Sequence, residues 1–437
     1  MRKTIRIIAF LCVICGIILT GCESKSEETN TALEEKTVGE ETDIFSDKEV
    51  SLDFECIWVG KDSKAEYFGS MVDGFNEEYA GKYHINLIEQ TDYDTYESKL
   101  KVQISAGQVP DIFTVKNYSD VLNYAETGKL MDFTQYLSNS EIASRFNEGV
   151  IEEYKADDKT YCIPYEDGII PIMYNKEILD AAGVTELPTS WDEFFAACDK
   201  VRAIGINPTS FMTGGNAWTA QLWFSYALAS VAGPDAWSKD ITSEDYKEAA
   251  EILKKIYSYA PTDSVGADSG TVNTHFYKKE TAIYVNGTWI LGGIKNNAGQ
   301  EFYDHVLVSS GPSYNGINGD AVINYVQAFL CAAKQENPDK QAGIEAFFDY
   351  ITNLNHVTEL AEASGSTFCL NVESSKLTDP LQSEIISKCK NASFTLKSFG
   401  SFATTPVVEA FPGLLEAFVK EEISTQDFVD KLSAANQ

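Results

Sequence analysis

Positive charge is scarce in this chain. Lys and Arg number 34 against 66 Asp and Glu, a formal net charge of -32 over 437 residues. That balance excludes nucleic acid as a partner, because a polyphosphate needs a concentrated basic surface; the excess acid serves solubility and self-repulsion. Histidine is nearly absent too. His84, His275, His305 and His356 are the only four and no two stand at i, i+4, which argues against a histidine-rich zinc site. An all-carboxylate metal site stays open, but no motif asks for a metal or any other cofactor. There is no G-x-S-x-G, and the nearest approach to a phosphate loop, Gly74 to Gly81-Lys82, places six residues where four belong. No C-x-x-C pair occurs among Cys56, Cys162, Cys198, Cys331, Cys369 and Cys389, which read as small buried apolar residues with no assignable disulfide. No apolar run reaches the ~20 residues that cross a bilayer.

What the chain does have starts at its N-terminus. Arg2, Lys3 and Arg6 precede an apolar run from Ile7 to Leu19, the pattern of an export signal over residues 1–21. Leu19-Thr20-Gly21-Cys22 resembles the lipobox of bacterial lipoproteins, which implies that Cys22 carries a diacylglyceryl group and becomes the first residue of the mature chain. Two buried acyl chains suffice for a stable anchor. From Glu23 to about residue 50 the chain is rich in Ser, Thr, Glu and Asp with few large apolar residues, the composition of a flexible acidic tether. The remainder exceeds the ~250–300 residues at which single cores stop growing, so two domains are expected.

Elements alternate along that remainder. Leu52 to Val59 reads as a strand. Phe68, Met71, Val72, Phe75 and Tyr79 recur at helical spacing, Tyr83 to Ile88 alternates like a second strand, and Tyr96, Leu100 and Ile104 mark another helix. Pro110 to Val115 reads as a buried strand, and the succession predicts a parallel α/β sheet. Further on, Ser190-Trp191-Asp192-Glu193 predicts a capping box opening a helix, and Asn337-Pro338 predicts another with Ile344, Phe347, Phe348 and Ile351 inward. No low-complexity linker divides the chain after residue 50. Discontinuous lobes, built from segments that cross between them, follow from that.

Four stretches together resemble the carbohydrate-type, maltodextrin-binding-like extracellular solute-binding proteins of ABC importers. They are Ser105 to Ile112 with its Pro110-Asp111-Ile112; Tyr161 to Tyr165 followed by Met173-Tyr174-Asn175-Lys176-Glu177; Ala181 to Val184 with Pro188 and Thr189 to Phe194; and Lys279 to Trp289. Their order and spacing match the family's. Lys279 stands where a glycine is common, and a frequent proline is missing near Ser364 to Leu370. The resemblance implies an α/β, two-lobe, periplasmic-binding-protein-like (type II) fold with ligand in the interlobe cleft. Residues 51–166 plus about 327–375 would form one lobe and 167–326 plus about 376–437 the other, joined near Tyr165 to Pro171 and Val322 to Val326. It also implies a sugar or oligosaccharide ligand, ABC permease subunits as partners, a monomer, and the extracytoplasmic membrane face as location.

Sugars offer apolar faces ringed by hydroxyls, so their sites need aromatic platforms with polar residues at the rim. Trp289 matches a platform position of the family and follows Asn286-Gly287, where a turn would expose the ring; packing between strand and helix is its other role. Trp218 and Trp223, five apart, fall on different helical faces. Trp218, nearer the Thr213-Gly214-Gly215-Asn216 loop, is assigned to the cleft and Trp223 to the core. Asp62 resembles a sugar-contacting carboxylate, with a solvated surface position as its alternative, and Trp58 before it is expected in the core. Tyr165, Glu166 and Asp167 lie at the first crossing, near a ligand-binding carboxylate of the family, although distance from Tyr174 aligns Gly168. Asn117 and Tyr118 follow a strand's carboxyl end, where open α/β sheets hold ligands. Late in the chain Glu409 or Phe411 could serve, Phe411 more naturally as core.

Catalysis fares poorly. Adjacent carboxylates in a strand point to opposite sides, so Glu166 and Asp167 would not flank one glycosidic bond. The chain is therefore read as a non-enzymatic sugar receptor, with a binding protein for a peptide, polyamine or metal chelate as the alternative and a surface glycoside hydrolase behind it.

Overall fold

A computed structural model describes residues 48–436; the signal segment, Cys22 and the tether up to residue 47 lie outside the described residues. Strand β1 (Val50–Cys56) alternates, sending Leu52, Phe54 and Cys56 into a core shared with Phe68, Met71, Val72 and Phe75 of the helix Ala65–Glu78. Val59 is not in the strand. The chain turns away after Cys56, and Trp58 is buried in the core beyond the strand end. Strands β2 (Tyr83–Glu89) and β3 (Ile112–Val115) pair on either side of β1, both parallel to it. Between them the helix Tyr93–Ser105 buries Tyr96, Leu100 and Ile104 under the other sheet face.

The chain next adds β4 (Ile163–Ile170) and, after Pro171, enters a second sheet through β5 (Ile172–Asn175), β6 (Asn207–Thr209), β7 (Thr281–Val285) and β8 (Val306–Ser309), ordered β6-β7-β5-β8. It returns along β9 (Ala321–Ala332), the longest strand, and finishes the first sheet with β10 (Thr367–Phe368) and β11 (Phe394–Leu396). The first sheet runs β2-β1-β3-β9-β4-β10, with β11 beside the start of β9. It is mixed rather than parallel. β9 comes back from the second sheet and inserts antiparallel between β3 and β4, a pairing that no local pattern announces.

Each sheet has its own helices. Pro338–Ile351 and Leu354–Ser364 pack on the first sheet, with Ile344, Phe347, Phe348 and Ile351 fully buried. Trp218–Ala232, Glu244–Tyr257, Thr405–Val419 and Thr425–Ala435 form a bundle with the second. Asn337 accepts from the amide of Asp339, with Pro338 in the first turn. At the helix Trp191–Ala203 the cap is only half of the expected box. Ser190 accepts from the Glu193 amide, but Glu193 reaches past Ser190 to the backbone N–H and hydroxyl of Thr189, both 2.8 Å away. Cys56, Cys162, Cys198, Cys331, Cys369 and Cys389 are free thiols, all but Cys389 buried. Among the described residues no helix is long and apolar enough to cross a membrane.

Candidate functional site

A cavity of about 500 Å³ opens between the two sheets' lobes, inside the ~300–1,000 Å³ range of small-molecule sites. Its first wall comes from strand-end loops and helix starts of the first lobe: Asp62 after β1, Asp92 and Tyr93 after β2, and Lys116 and Asn117 after β3. The facing wall is Asn216, Trp218, Gln221, Asp268 and Trp289, with Ser398, Gly400 and Ser401 beside them. Tyr325 and Gln327 of β9 also line it, between the walls.

Trp289 sits in a single 3-10 turn at the carboxyl end of β7. Asn286 shapes the turn by accepting from the Gly287 amide at 2.8 Å and donating to Tyr284 Oη at 2.9 Å. The benzo edge of the indole lies against two glycines. A Cβ on Gly287 would come within 2.2 Å of Cζ3, and one on Gly168 within 2.9 Å of the same atom. Trp218 meets Trp289 edge-on, ring centroids 6.0 Å apart at 62°. It opens its helix behind Ala217, a non-glycine residue at φ 54°. Gly214 has no room for a side chain there, since a Cβ would lie 2.6 Å from Gly266 O.

Asp62 is positioned from below. Its Oδ1 accepts from the Lys64 amide at 2.9 Å and forms an ion pair with Lys64 Nζ, also at 2.9 Å. That ammonium is itself fully buried and lies 2.8 Å from Glu166 Oε1 and 3.5 Å from Ser366 Oγ. Trp58 Nε1 donates to Glu166 Oε2 at 2.8 Å. Burial works against the Lys64 charge, but Asp62 and Glu166 more than offset it and hold its pKa above the ordinary lysine value.

Of the residues singled out from sequence, Asp62, Asn117, Trp218 and Trp289 meet at this cavity, and Trp223 is fully buried in the second lobe's core. The others do not line it. Tyr165 is core, its hydroxyl donating to Ile351 O and its ring packed on Trp58. Glu166 is buried in the Lys64 network. Asp167, across a β-bulge, turns to the other side, where Asn324 Nδ2 lies 3.0 and 2.9 Å from its oxygens. Burial pushes Asp167 up to about 7 in spite of that hydrogen bond. Tyr118 packs between Tyr154 and Phe329. Glu409 is exposed; its neighbour Val408 reaches the cavity, and Phe411 is core.

Sequence reading missed Tyr93, Lys116, Gln221, Asp268, Tyr325 and Gln327. β9 carried a signal: Asn324 and Gln327 are the polar residues of an otherwise apolar run, and the structure leaves them and Tyr325 as its half-buried positions. A serine, histidine and aspartate also line up, Ser210 Oγ 2.8 Å from His275 Nδ1 and Asp263 Oδ2 3.3 Å from Nε2. Ser210 has no exposed surface, so its hydroxyl meets no substrate.

Fold and site together define a two-lobe α/β binding protein whose cavity lies between the lobes. A model of the bacterial extracellular solute-binding proteins matches residues 70–383, and the chain belongs to that family. It is similar to the maltotriose-binding protein of Pyrococcus abyssi, 29% identical over 214 residues that cover 47% of this chain and 43% of that one. The multiple sugar-binding protein of Streptococcus mutans is 23% identical over 314 residues, 69% of this chain and 71% of its own. Against putative binding proteins of Brucella the match spans 60% of their length. The structure of a chitin oligosaccharide binding protein superposes with a TM-score of 0.81 at 20% identity, covering 90% of this chain and 98% of that one.

Proposed function

We propose that the protein is the lipid-anchored, substrate-binding subunit of an ABC importer that captures a sugar, an oligosaccharide above all, and presents it to the membrane permease. One observation carries the reading. Four rings, Trp218, Trp289, Tyr93 and Tyr325, share a single cavity with carboxylates, amides and hydroxyls contributed by both lobes. Apolar ring faces beside hydrogen-bonding rims suit the two chemistries of a pyranose. The names of the Pyrococcus and Streptococcus relatives support the same ligand class. The lobes, 51–166 with about 327–375 and 167–326 with about 376–437, move about β4 and β9, and ligand favours the closed form through the contacts that only both walls together make. Cys22 carries the anchor, and the protein releases its cargo unchanged.

The test is a thermal-shift and tryptophan-fluorescence screen of the soluble chain beginning after Cys22. Maltotriose, raffinose, diacetylchitobiose and xylobiose are compared with amino acids, peptides and polyamines. A ligand that binds the folded state raises its melting temperature. Saturable shifts with one glycan class, lost in Trp289→Ala, are expected. Shifts with polyamines alone would overturn the sugar reading in favour of a cationic solute, which the carboxylates of Asp62, Asp92, Asp268 and Glu97, the last also at the cavity, would suit. Shortened glycan products would overturn the assignment as a non-enzyme.

A further inference from the structure

A lysine with no exposed surface is costly to bury, and an apolar side chain would fill the space under the β1 loop without that cost. Lys64 nevertheless lies there, its ammonium ion-paired with Asp62 Oδ1 at 2.9 Å and Glu166 Oε1 at 2.8 Å and within 3.5 Å of Ser366 Oγ. These come from three distant parts of the chain. Asp62 lines the cavity, Glu166 sits at the bulge of β4 just before the chain passes to the second lobe, and Ser366 immediately precedes β10, the edge partner of β4. The Lys64 amide and ammonium both hold Oδ1 of Asp62, and among the described residues no hydrogen bond or ion pair engages Oδ2. Glu166 in turn is held from behind by Trp58.

We propose that Lys64 is a positioning residue for ligand capture: its buried ammonium clamps Asp62 to Glu166, so that the cleft carboxylate is preset in its binding orientation and tied to the strand that joins the lobes. The proposal rests on the cleft being the ligand site. Lys64 itself touches no ligand; it acts through Asp62.

Removing Lys64 alone would leave Glu166 buried and unpaired, so the informative variant removes both charges. Lys64→Met with Glu166→Gln keeps an acceptor for Trp58 and is compared with Asp62→Asn and with the triple variant, each titrated with maltotriose, raffinose, diacetylchitobiose and xylobiose. A double-mutant cycle separates an effect through Asp62 from a general one. Removing the pair is expected to weaken glycan binding about tenfold when Asp62 is present and less than about twofold when residue 62 is asparagine. Equal losses in both backgrounds would overturn the proposal. A second readout needs no ligand: hydrogen exchange at the backbone amide of residue 64, which donates to Asp62 Oδ1, should speed up at least about tenfold in the double variant while β2 amides keep their protection. Unchanged exchange there would overturn the proposal. If the wild-type chain binds none of the four glycans, the sugar reading fails, and the exchange result alone decides the role of Lys64.

Discussion

Replacing Gly168 by alanine should impair ligand capture and spare the fold. The new Cβ would lie 2.9 Å from Cζ3 of Trp289, with Tyr325 O and Gln327 Cβ already at 3.4 Å from it. Carbon atoms in contact settle at ~3.5–4.0 Å, so the indole has to give way by roughly half an ångström or more. Gly168 is in a strand and outside the left-handed region, so alanine adds no backbone strain and restricts the unfolded chain, an effect of ~0.4–1 kcal/mol in favour of folding. The damage therefore falls on the platform. A pyranose laid on the indole removes on the order of 60 Å² of apolar surface from water, which at ~25 cal/mol per Å² is about 1.5 kcal/mol, or roughly tenfold in Kd. Trp289→Ala should forfeit all of it, and Gly168→Ala a large part. Calorimetric titration with the glycan that gives the largest thermal shift measures the loss, and melting curves of the free proteins check the fold. Wild-type affinity in Gly168→Ala beside weakened binding in Trp289→Ala would refute the claim that the glycine sets the ring. So would a large drop in melting temperature.

The two helical tryptophans should separate stability from binding. Trp223→Ala empties a fully buried site and is expected to cost ~3–5 kcal/mol in urea unfolding, whereas Trp218→Ala should lower glycan affinity several-fold at a smaller stability cost. Acidic glycans should bind worse than their neutral counterparts: hydrogen bonds from the Thr95 hydroxyl and amide hold Asp92 below the usual carboxylate range, those from the Thr271 amide and hydroxyl do the same for Asp268, and both stay ionised at the cavity wall. Digalacturonic acid binding as tightly as neutral disaccharides at low salt would refute this. Stability should fall as pH rises from about 4 to about 7, because Asp167, raised to about 7, keeps a proton in the folded state that the unfolded carboxylate has already lost. Asp167→Asn should flatten that slope in urea midpoints measured from pH 4 to pH 8, and an unchanged slope would refute it.

Local patterns wrote much of the first lobe legibly. Leu52 and Phe54 alternate, Phe68 to Phe75 repeat every three or four residues, and the structure puts both sets in one core. Trp289, Trp218, Asp62 and Asn117 were readable because each stands at the end of a strand or the start of a helix, where an α/β fold exposes side chains. Pairings between distant segments were not readable. Glu166 looks available in sequence, yet a lysine about a hundred residues earlier occupies it. β9 reads as one more apolar strand, and its place between β3 and β4 brings Tyr325 and Gln327 to the cavity. Asn117 could be placed by its strand, but Tyr118, the next residue, begins a helix whose inward turn sends the ring against Tyr154 and Phe329 instead.

β9 has a kinetic consequence. In a receptor that closes about β4 and β9, Tyr325 and Gln327 ride on the axis and meet the ligand whether the lobes stand apart or together. Contacts equal in both states leave the open–closed balance untouched. They lengthen the stay of the first encounter, giving the far wall time to arrive. Substitutions there should speed escape from the open form, while those at Asp62 or Trp289 should change how often the closed form reopens. Release through such an open form depends on both terms, so residence time in that scheme is the product of how often the walls part and how fast the β9 contacts let go.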